Sequence, residues 1–294
     1  MNNIYPTPLD EIKYIKKKYG FETAKKLGQN FITNREVVSD IVSGSEAINS
    51  IVIEIGPGIG TLTALLAKEA RAVIAIELDD RLIPILEDRF SPYENVKIIH
   101  SDVLEIDLNK VIEEATKEFG KSEVKIIGNL PYYITTPIIV SLLKGKIPVE
   151  SITIMIQKEV ADRIIAEPGS KKCGAITYLA HYYSKPRLIC EVDKENFYPM
   201  PKVDSAVIKL DIREKPAISV ANEELFFKII KAGFMQRRKT LVNSISHGGQ
   251  FDKGEIIKAL DALGIDLRRR AETLSLLEFA RLSTILAEEK NNGE

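Results

Sequence analysis

The chain has few residues of the types that form metal sites and disulfides. Its 294 residues include two cysteines, Cys173 and Cys190, and three histidines, in no spacing typical of zinc ligands. Two cysteines in a chain of this length are typical of proteins in a reducing cytosol. We therefore expect a cytoplasmic protein that binds no metal ion.

Long hydrophobic runs are also absent. No apolar stretch approaches ~18 residues, the length that spans a membrane, and residues 1–10 lack the apolar core of a signal peptide. The net charge of −1 argues against a uniformly basic nucleic-acid coat, but it allows a local basic face. These absences predict a soluble protein with no membrane partner. The length of the chain is sufficient for two domains.

From residue 50 onward, short apolar runs alternate with helical segments. Buried strands are predicted at 51–55, 72–78, 96–100, 124–129 and 151–157, followed by two further strands at 186–192 and 205–212. The alternation predicts an α/β fold whose parallel sheet is covered on both faces, and the short proline-rich connection before residue 205 favours an antiparallel edge. After residue 214 only helical patterns follow. We predict three parts: a lysine-bearing segment (1–49), an α/β domain (50–214) and a small all-α domain (215–294).

A glycine-rich loop, EIGPGIGTLT, follows the first predicted strand. Gly56, Gly58 and Gly60 allow the backbone to approach a ligand without intervening Cβ atoms, although a plain tight turn is the alternative. The dinucleotide fingerprint G-x-G-x-x-G would need glycine at Thr61, which counts against a nicotinamide cofactor. Glu77 ends the second strand about twenty residues on, the position of a ribose-binding carboxylate. Both nicotinamide and S-adenosylmethionine (SAM) enzymes use such a carboxylate.

Asp102 follows the third predicted strand. Its carboxylate can accept a hydrogen bond from the exocyclic amine of an adenine, or it can cap the next helix. Together with the glycine loop and Glu77, it makes three successive strand ends with ligand-contacting groups, as expected at the carboxyl edge of an open α/β sheet. The sequence has no G-K-[S/T] of a triphosphate-binding loop.

The fourth predicted strand ends in an amide followed by Leu-Pro-Tyr. The Asn129 side-chain carbonyl and the Leu130 backbone carbonyl can accept the hydrogens of an adenine amine, with Pro131 turning the carbonyls inward. Tyr132 offers a face on which a purine stacks. Because that amine is a poor nucleophile, orientation would supply most of the rate and no strong base is required. The alternatives are a helix cap for Asn129 and a core position for Tyr132.

Five segments resemble the ribosomal RNA adenine N6-dimethyltransferase family: GQNFI, EIGPGIG, GNLPYY, QKEVADRI and NFYPMPKVDSAV. The similarity runs from Gly28 to Arg281 and is greatest to bacterial members that act on small-subunit (16S) rRNA. It implies a Rossmann-like class I SAM-dependent methyltransferase fold, with a seven-stranded, mostly parallel sheet and a small helical C-terminal domain. It also implies N6,N6-dimethylation of two adjacent adenosines in the 3′-terminal hairpin loop of that RNA during ribosome biogenesis, with SAM as methyl donor and no metal.

The resemblance assigns roles to individual residues. SAM is expected to contact Asn30, Ile32, Gly56, Gly58, Glu77, Asp102 and Asn129. The catalytic residues are expected to be Asn129, Leu130, Pro131, Tyr132 and Phe197. Tyr132 and Phe197 would stack on opposite faces of the target adenine. Ile32 stands where the family usually has leucine, which keeps an apolar contact, and Tyr133 stands where asparagine is common, so its role is open.

Two basic segments are expected, from the resemblance, to bind RNA phosphates. They are Arg237, Arg238 and Lys239 at the start of a predicted helix, and Arg268, Arg269 and Arg270 further along. Lysines of the N-terminal segment could extend the same basic face: Lys13, Lys16, Lys17, Lys18, Lys25 and Lys26. Each of the two arginine-containing segments alone is more typical of a solvated surface, and the lysine run alone is equally typical of one. Val242 replaces an arginine that related sequences often carry, so one phosphate or intramolecular contact is expected to be missing.

Three other functions stay open at this point. One is an rRNA adenine methyltransferase of the large-subunit (23S), macrolide-resistance type, and another is a ribosome-assembly factor with secondary catalysis. The third, a nicotinamide-dependent dehydrogenase, is supported by fold analogy alone. The segments FYPMPKVDSAVI and RRAETLSLLEFARL favour the small-subunit enzyme, and the intact Asn129-Leu130-Pro131-Tyr132 sequence favours retained catalysis. We expect a monomer, because no hydrophobic stripe is left once the core is assigned.

Overall fold

The computed structural model describes residues 7–24, 28–249 and 251–292, with side chains described up to residue 288. Lys25 and Lys26 lie outside the described residues. The chain divides into two compact units. The first comprises Met1–Ala161 and Pro186–Ile212, and the second comprises Asp162–Lys185 and Arg213–Glu294.

The helices and strands alternate through most of the chain. The helices are α1 (Pro8–Tyr19), α2 (Arg35–Ser45), α3 (Thr63–Glu69), α4 (Ile83–Phe90), α5 (Leu108–Phe119), α6 (Thr135–Lys144), α7 (Lys158–Ile165), α8 (Ala175–Tyr183), α9 (Glu223–Met235), α10 (Leu241–Ser246), α11 (Lys253–Ala262) and α12 (Leu276–Asn292). The strands are β1 (Phe31–Ile32), β2 (Ile51–Ile55), β3 (Ala72–Glu77), β4 (Val96–His100), β5 (Val124–Asn129), β6 (Ser151–Gln157), β7 (Ser184–Val192), β8 (Phe197–Tyr198) and β9 (Ser205–Ile212).

Seven strands form the main sheet, in the order β4-β3-β2-β5-β6-β9-β7. The pairs β3–β4, β2–β3, β2–β5 and β5–β6 are parallel, whereas β9 runs antiparallel to β6. Strands β2 and β3 are buried along their whole length and rich in isoleucine and valine, as expected of parallel strands covered on both faces. The predicted mostly parallel, seven-stranded sheet is confirmed.

A second, two-stranded sheet was not predicted. In it β1 pairs antiparallel with β8, with Phe31 opposite Tyr198 and Ile32 opposite Phe197. Strands of two residues are too short to produce a sequence period, so no pattern could indicate them. This pairing brings the N-terminal segment beside the Phe-Tyr-Pro-Met-Pro segment within the first unit.

Aromatic side chains of α8 pack against the C-terminal helices, which explains why α8 belongs to the second unit. Tyr178 of α8 lies 5.1 Å from Phe279 between ring centroids, and Tyr182 lies 5.4 Å from Phe226. Residues 162–185 therefore join the C-terminal helices, which differs from the sequence-based division into 1–49, 50–214 and 215–294. That division stays a prediction where it assigns a function to each part.

The helix predicted around residue 237 begins later than expected. Thr240 is the N-cap of α10, and its hydroxyl accepts a hydrogen bond from the Asn243 N–H at 3.5 Å. Arg237, Arg238 and Lys239 consequently lie in the turn between α9 and α10 rather than on the helix. A threonine in this position favours helix initiation, because its side chain satisfies an N–H that lacks an intrahelical partner.

Candidate active site

A cavity lies in the first unit at the carboxyl ends of β2, β3 and β5, which are adjacent in the sheet. It is lined by residues 28–32, 54–58, 61–62, 76–78, 101–103 and 129–134 and by Ile138. The lining therefore includes these predicted site residues: Asn30, Ile32, Gly56, Gly58, Glu77, Asp102, Asn129, Leu130, Pro131 and Tyr132. Ligands of open α/β sheets bind at this edge because the loops after the parallel strands meet there.

The glycine loop and Glu77 are joined by a direct hydrogen bond. The Gly58 N–H donates to Oε2 of Glu77 at 3.0 Å, and the Asp79 N–H donates to Oε1 at 2.9 Å. Burial raises the pKa of Glu77 above its usual range, although these hydrogen bonds act in the opposite direction. Gly58 has φ +62°, and a Cβ atom there would lie 2.9 Å from Cε1 of Phe31. Both the positive φ and the close contact with Phe31 favour glycine at this position.

Asn129 is held by the N-terminal segment of the same unit. Its Nδ2 donates to the backbone carbonyl of Asn30 at 3.0 Å, and Nδ2 of Asn30 donates to the Gly28 carbonyl at 3.1 Å. Because the Asn129 amino group has a partner, its carbonyl oxygen is the part of the amide suited to accept a ligand's hydrogen. The Leu130 N–H donates to the Met155 carbonyl at 3.1 Å, which ties the turn to β6.

Tyr132 is anchored through its hydroxyl group. The Tyr132 hydroxyl and the Ser205 hydroxyl, at the start of β9, form a hydrogen bond of 2.6 Å. Burial raises the pKa of Tyr132, so the phenol stays protonated at neutral pH. Ser205 was not among the predicted site residues, although it lies in a segment that carries the family resemblance. Its contribution is to fix the orientation of the Tyr132 ring at the cavity.

Asp102 both lines the cavity and stabilises a local turn. Its Oδ1 accepts a hydrogen bond from the Leu104 N–H at 2.9 Å. A carboxylate that caps a turn with one oxygen has further lone pairs for a ligand. The next helix, α5, is capped by Asp107, so the helix-cap alternative for Asp102 is wrong, and the Asp102 carboxylate keeps its capacity to bind a ligand.

A polar network that was not predicted supports the same edge of the cavity. Nε2 of Gln29 donates to Asp79 at 2.6 Å, and its Oε1 accepts from the Ala24 N–H at 2.8 Å. Arg81 also donates to Asp79 at 2.6 Å. Burial alone would raise the pKa of Asp79, but the hydrogen bonds from Arg81 and Gln29 lower it overall. The contact between Gln29 and Asp79 joins residues fifty positions apart, which no local sequence pattern indicates.

Glu54 places a buried carboxyl group in the wall of the cavity. The residue is 1% exposed, and its Oε2 and the Thr61 hydroxyl have no hydrogen-bond partner among the described residues. Burial, together with the nearby Glu77 carboxylate, raises the pKa of Glu54 to about 8. An unsatisfied buried carboxyl group is costly unless a ligand or water pairs with it. With a pKa of about 8 the carboxyl group is mostly protonated at neutral pH, so it can donate a hydrogen bond to a ligand in the cavity.

Phe197 is placed differently from the other predicted catalytic residues. It is 4% exposed, pairs with Ile32 in the two-stranded sheet and packs in a core cluster with Val38 and Val207. It is not among the residues that line the cavity. Its stacking against an adenine stays a prediction, whereas Ile32 both lines the cavity and contacts this core cluster.

The predicted RNA-binding arginines of the second unit differ in their surroundings. Arg268 is exposed and pairs with Asp266 at 2.7 Å, whereas Arg269 is half-buried and pairs with Glu278 at 2.5 Å. Burial raises the pKa of Glu278, but the hydrogen bonds from Arg269 and Ser275 outweigh this and lower it.

The other basic positions are mostly exposed. Arg237, Arg238, Lys239 and Arg270 in the second unit, and Lys13, Lys17 and Lys18 on α1, are exposed. Lys18 pairs with Asp88 at 2.8 Å and the half-buried Lys16 pairs with Glu22 at 3.0 Å. Val242, which stands where an arginine was expected, is buried in the second unit. An apolar side chain at this position thus contributes to the core.

Metal-ligating side chains are not clustered in the described part of the chain. Within residues 7–24, 28–249 and 251–292, no group of three or more His, Cys, Asp or Glu side chains could hold a metal ion. None of the helices seen there combines the length and hydrophobicity of a membrane span.

The comparisons with known proteins identify the family. A family model described as ribosomal RNA adenine dimethylase matches residues 20–288. The chain belongs to this family. Within it, a relative from Bacillus pumilus named ribosomal RNA small subunit methyltransferase A is 50% identical, over 97% of this chain and 98% of the relative.

Two solved structures show the same fold as this dimethylase. A dimethyladenosine transferase from Plasmodium falciparum has a TM-score of 0.70 and 25% identity, covering 90% of this chain and 98% of that one. The 23S rRNA methyltransferase ErmE has a TM-score of 0.65 and 25% identity, covering 88% and 100% of the two chains. The predicted family, fold class and enzyme class are confirmed, whereas the roles of individual residues stay predictions.

Proposed function

We propose that this dimethylase transfers methyl groups from SAM to the N6 atoms of two adjacent adenosines in the 3′-terminal hairpin loop of small-subunit (16S) rRNA. The observation that carries the proposal is that the glycine loop and residues 129–132 line the same cavity. The Bacillus pumilus relative, 50% identical and named for the small subunit, supports that choice of RNA. The likeness to the 23S rRNA methyltransferase ErmE, at 25% identity, keeps large-subunit RNA as the second candidate.

The residues of the cavity fit SAM, which supplies an electrophilic methyl group on a positively charged sulfur. Gly56 and Gly58, which both line the cavity, would allow close approach of the ligand because they carry no side chain. Glu77 would accept hydrogen bonds from the ribose hydroxyls, and Asp102 from the adenine amine. The unpartnered Oε2 of Glu54 would form a hydrogen bond with a polar group of this ligand. Asn30 and Ile32 would complete the binding site.

Residues 129–132 would orient the target adenine. The Asn129 side-chain carbonyl and the Leu130 backbone carbonyl would accept the two hydrogens of the adenine amine, directing its lone pair toward the methyl group. Tyr132, fixed by its hydrogen bond to Ser205, would stack on one face of the base. Phe197 would have to move from its core position to reach the other face. The methylated nitrogen would then release its proton to water, so the cavity needs no strong base.

The exposed basic residues would bind RNA phosphates. Arg237, Arg238, Lys239, Arg268 and Arg270 would act in this way in the second unit, with Lys13, Lys17 and Lys18 in the first. Arg269 would mainly stabilise the second unit, because its guanidinium group pairs with Glu278. The proposed partner is the small ribosomal subunit, bound by a monomer in the cytoplasm.

The proposal is tested by nucleoside mass spectrometry. Unmethylated small ribosomal subunits and isolated large-subunit RNA are incubated side by side with the protein and SAM. We expect N6,N6-dimethyladenosine in the small-subunit RNA, at two residues per molecule. Dimethyladenosine only in the large-subunit RNA would support the second candidate. Binding to small subunits without methylation would instead support an assembly factor.

A further inference from the structure

Tyr133 is an exposed aromatic residue at the rim of the cavity. It lines the cavity next to Tyr132, yet 54% of its surface is exposed to solvent. It lies in the turn between β5 and α6. An aromatic ring with this exposure beside a binding site is suited to contact a ligand, because covering it removes a large apolar surface from water.

The ring of Tyr133 has a defined position despite its exposure. A Cβ atom at Gly28 would lie 3.4 Å from Cδ1 and 3.7 Å from Cε1 of Tyr133, and 3.8 Å from Cβ of Pro131. The edge of the ring therefore rests against backbone, and Gly28 has φ +60°, which favours glycine. A side chain that is already positioned loses less conformational entropy when it binds a ligand.

The two adjacent tyrosines differ in how their hydroxyl groups are used. The Tyr132 hydroxyl bonds to Ser205, whereas the Tyr133 hydroxyl has no hydrogen-bond partner in the part of the chain that the structure describes. The aromatic ring of Tyr133, rather than its hydroxyl group, is therefore the feature available for recognition.

We propose that Tyr133 forms a second base-binding subsite, at the rim of the cavity, that stacks on the base next to the target adenosine. This inference rests on the proposed function, in which two adjacent adenosines react in turn. While one base occupies the cavity beside Tyr132, its neighbour stays outside, and Tyr133 offers it a flat apolar face at the rim. Stacking of a base on an exposed aromatic ring needs no base-specific hydrogen bond, so either adenosine can occupy the subsite.

Three substitutions test the subsite. Tyr133→Phe keeps the ring, Tyr133→Leu keeps an apolar contact with Gly28 but cannot stack, and Tyr133→Ala removes both. With unmethylated small ribosomal subunits as substrate, we expect the Leu and Ala variants to raise KM for the subunit about tenfold, equivalent to about 1.4 kcal/mol. The Phe variant should match the wild type, and the affinity for SAM, measured by calorimetry, should change less than about twofold in all three.

The other outcomes are distinguishable. A Leu variant with wild-type KM for the subunit would overturn the subsite. A loss of SAM affinity in the Leu and Ala variants, equal to the loss for the subunit, would also overturn it and show that the ring acts by holding the segment around Gly28. If the wild type methylates no small-subunit RNA, the proposed function itself fails, and the subsite fails with it.

Discussion

At the scale of single residues, Asn129 has the most constrained role. Its amino group donates to the Asn30 carbonyl, which orients the amide so that its oxygen can accept from the target amine. This orientation depends on a residue ninety-nine positions away in the sequence. The Asn-Leu-Pro-Tyr sequence identified the residue, but only the structure shows what fixes its side chain.

Substitution of Asn129 should separate catalysis from binding. We expect Asn129→Ala to lower the rate of methyl transfer at least about 100-fold, because a misplaced amine loses its alignment with the methyl group. Its affinity for small ribosomal subunits should be retained. The measurements are single-turnover methylation and subunit binding, with Asn109→Ala on the exposed face of α5 as matched control. Normal methylation by the Asn129 variant would refute its role.

Glu54 should make stability depend on pH. Its pKa in the folded protein is about 8, against an ordinary value of 4.5, so the folded state holds a proton that the unfolded chain loses. The stabilisation is complete below pH 4.5 and is lost as the pH rises toward 8. We expect the wild type to lose up to about 3 kcal/mol more than Glu54→Gln between pH 5 and 8, measured by urea unfolding.

The exposed Glu87→Gln variant is the control for this pH series, because its side chain lies outside the cavity. It should follow the wild-type pH profile. Equal pH dependence in wild type and Glu54→Gln would show that the buried carboxyl group does not hold the proton.

At the scale of elements, we expect the glycine loop to control access of the ligand to the cavity. A Cβ atom at Gly58 would clash with Phe31, and it would also introduce a side chain at φ +62°. Gly264 offers a matched control, because it has φ +66° and no atom within 4 Å of its Cβ position. The two positions thus share the backbone strain but differ in the steric conflict.

We expect Gly58→Ala and Gly264→Ala each to lose roughly 1–2 kcal/mol of stability through the strained backbone, and Gly58→Ala to lose more because its Cβ atom also meets Phe31. Only Gly58→Ala should weaken SAM binding, by more than about tenfold, measured by calorimetry. If both variants bound SAM as the wild type does, the loop would not hold the ligand. Thermal unfolding of both variants checks that each is folded.

Elements with a sequence period could be predicted, and elements without one could not. The apolar runs at 51–55, 124–129 and 151–157 match β2, β5 and β6, because a strand buried on both faces is continuously apolar. The run at 96–100 matches β4, an edge strand whose side chains are half-buried or exposed. The pair β1–β8 has two residues in each strand and was missed. The late start of α10 was missed because the basic residues before it are good helix formers, whereas Thr240 sets the boundary.

In the candidate site, likewise, residues in a local sequence pattern could be predicted and residues joined by distant contacts could not. Glycine spacing and strand ends indicated Gly56, Gly58, Glu77 and Asp102, which all line the cavity. Ser205 and Gln29 act through hydrogen bonds to distant residues, for which the sequence carries no local signal.

At the scale of the whole molecule, the proposed RNA binding depends on exposed basic residues. Substitution of the neighbouring Arg269 and Arg270 tests stability and RNA binding separately, because Arg269 pairs with Glu278 and Arg270 is exposed. We expect Arg269→Ala to lower the free energy of unfolding by about 1 kcal/mol. Arg270→Ala should leave stability unchanged and reduce the slope of log K against log salt by about 0.7–0.9. Unfolding and salt titrations measure both, and the opposite pattern would refute these assignments.

The most direct test of the account is a crystal structure of the protein with SAM. We predict the donor in the cavity, its ribose hydroxyls bonded to Glu77, its adenine amine bonded to Asp102, and its methyl group facing the Asn129 carbonyl oxygen. A donor bound elsewhere, or an Asn129 side chain turned away from the methyl group, would contradict the account.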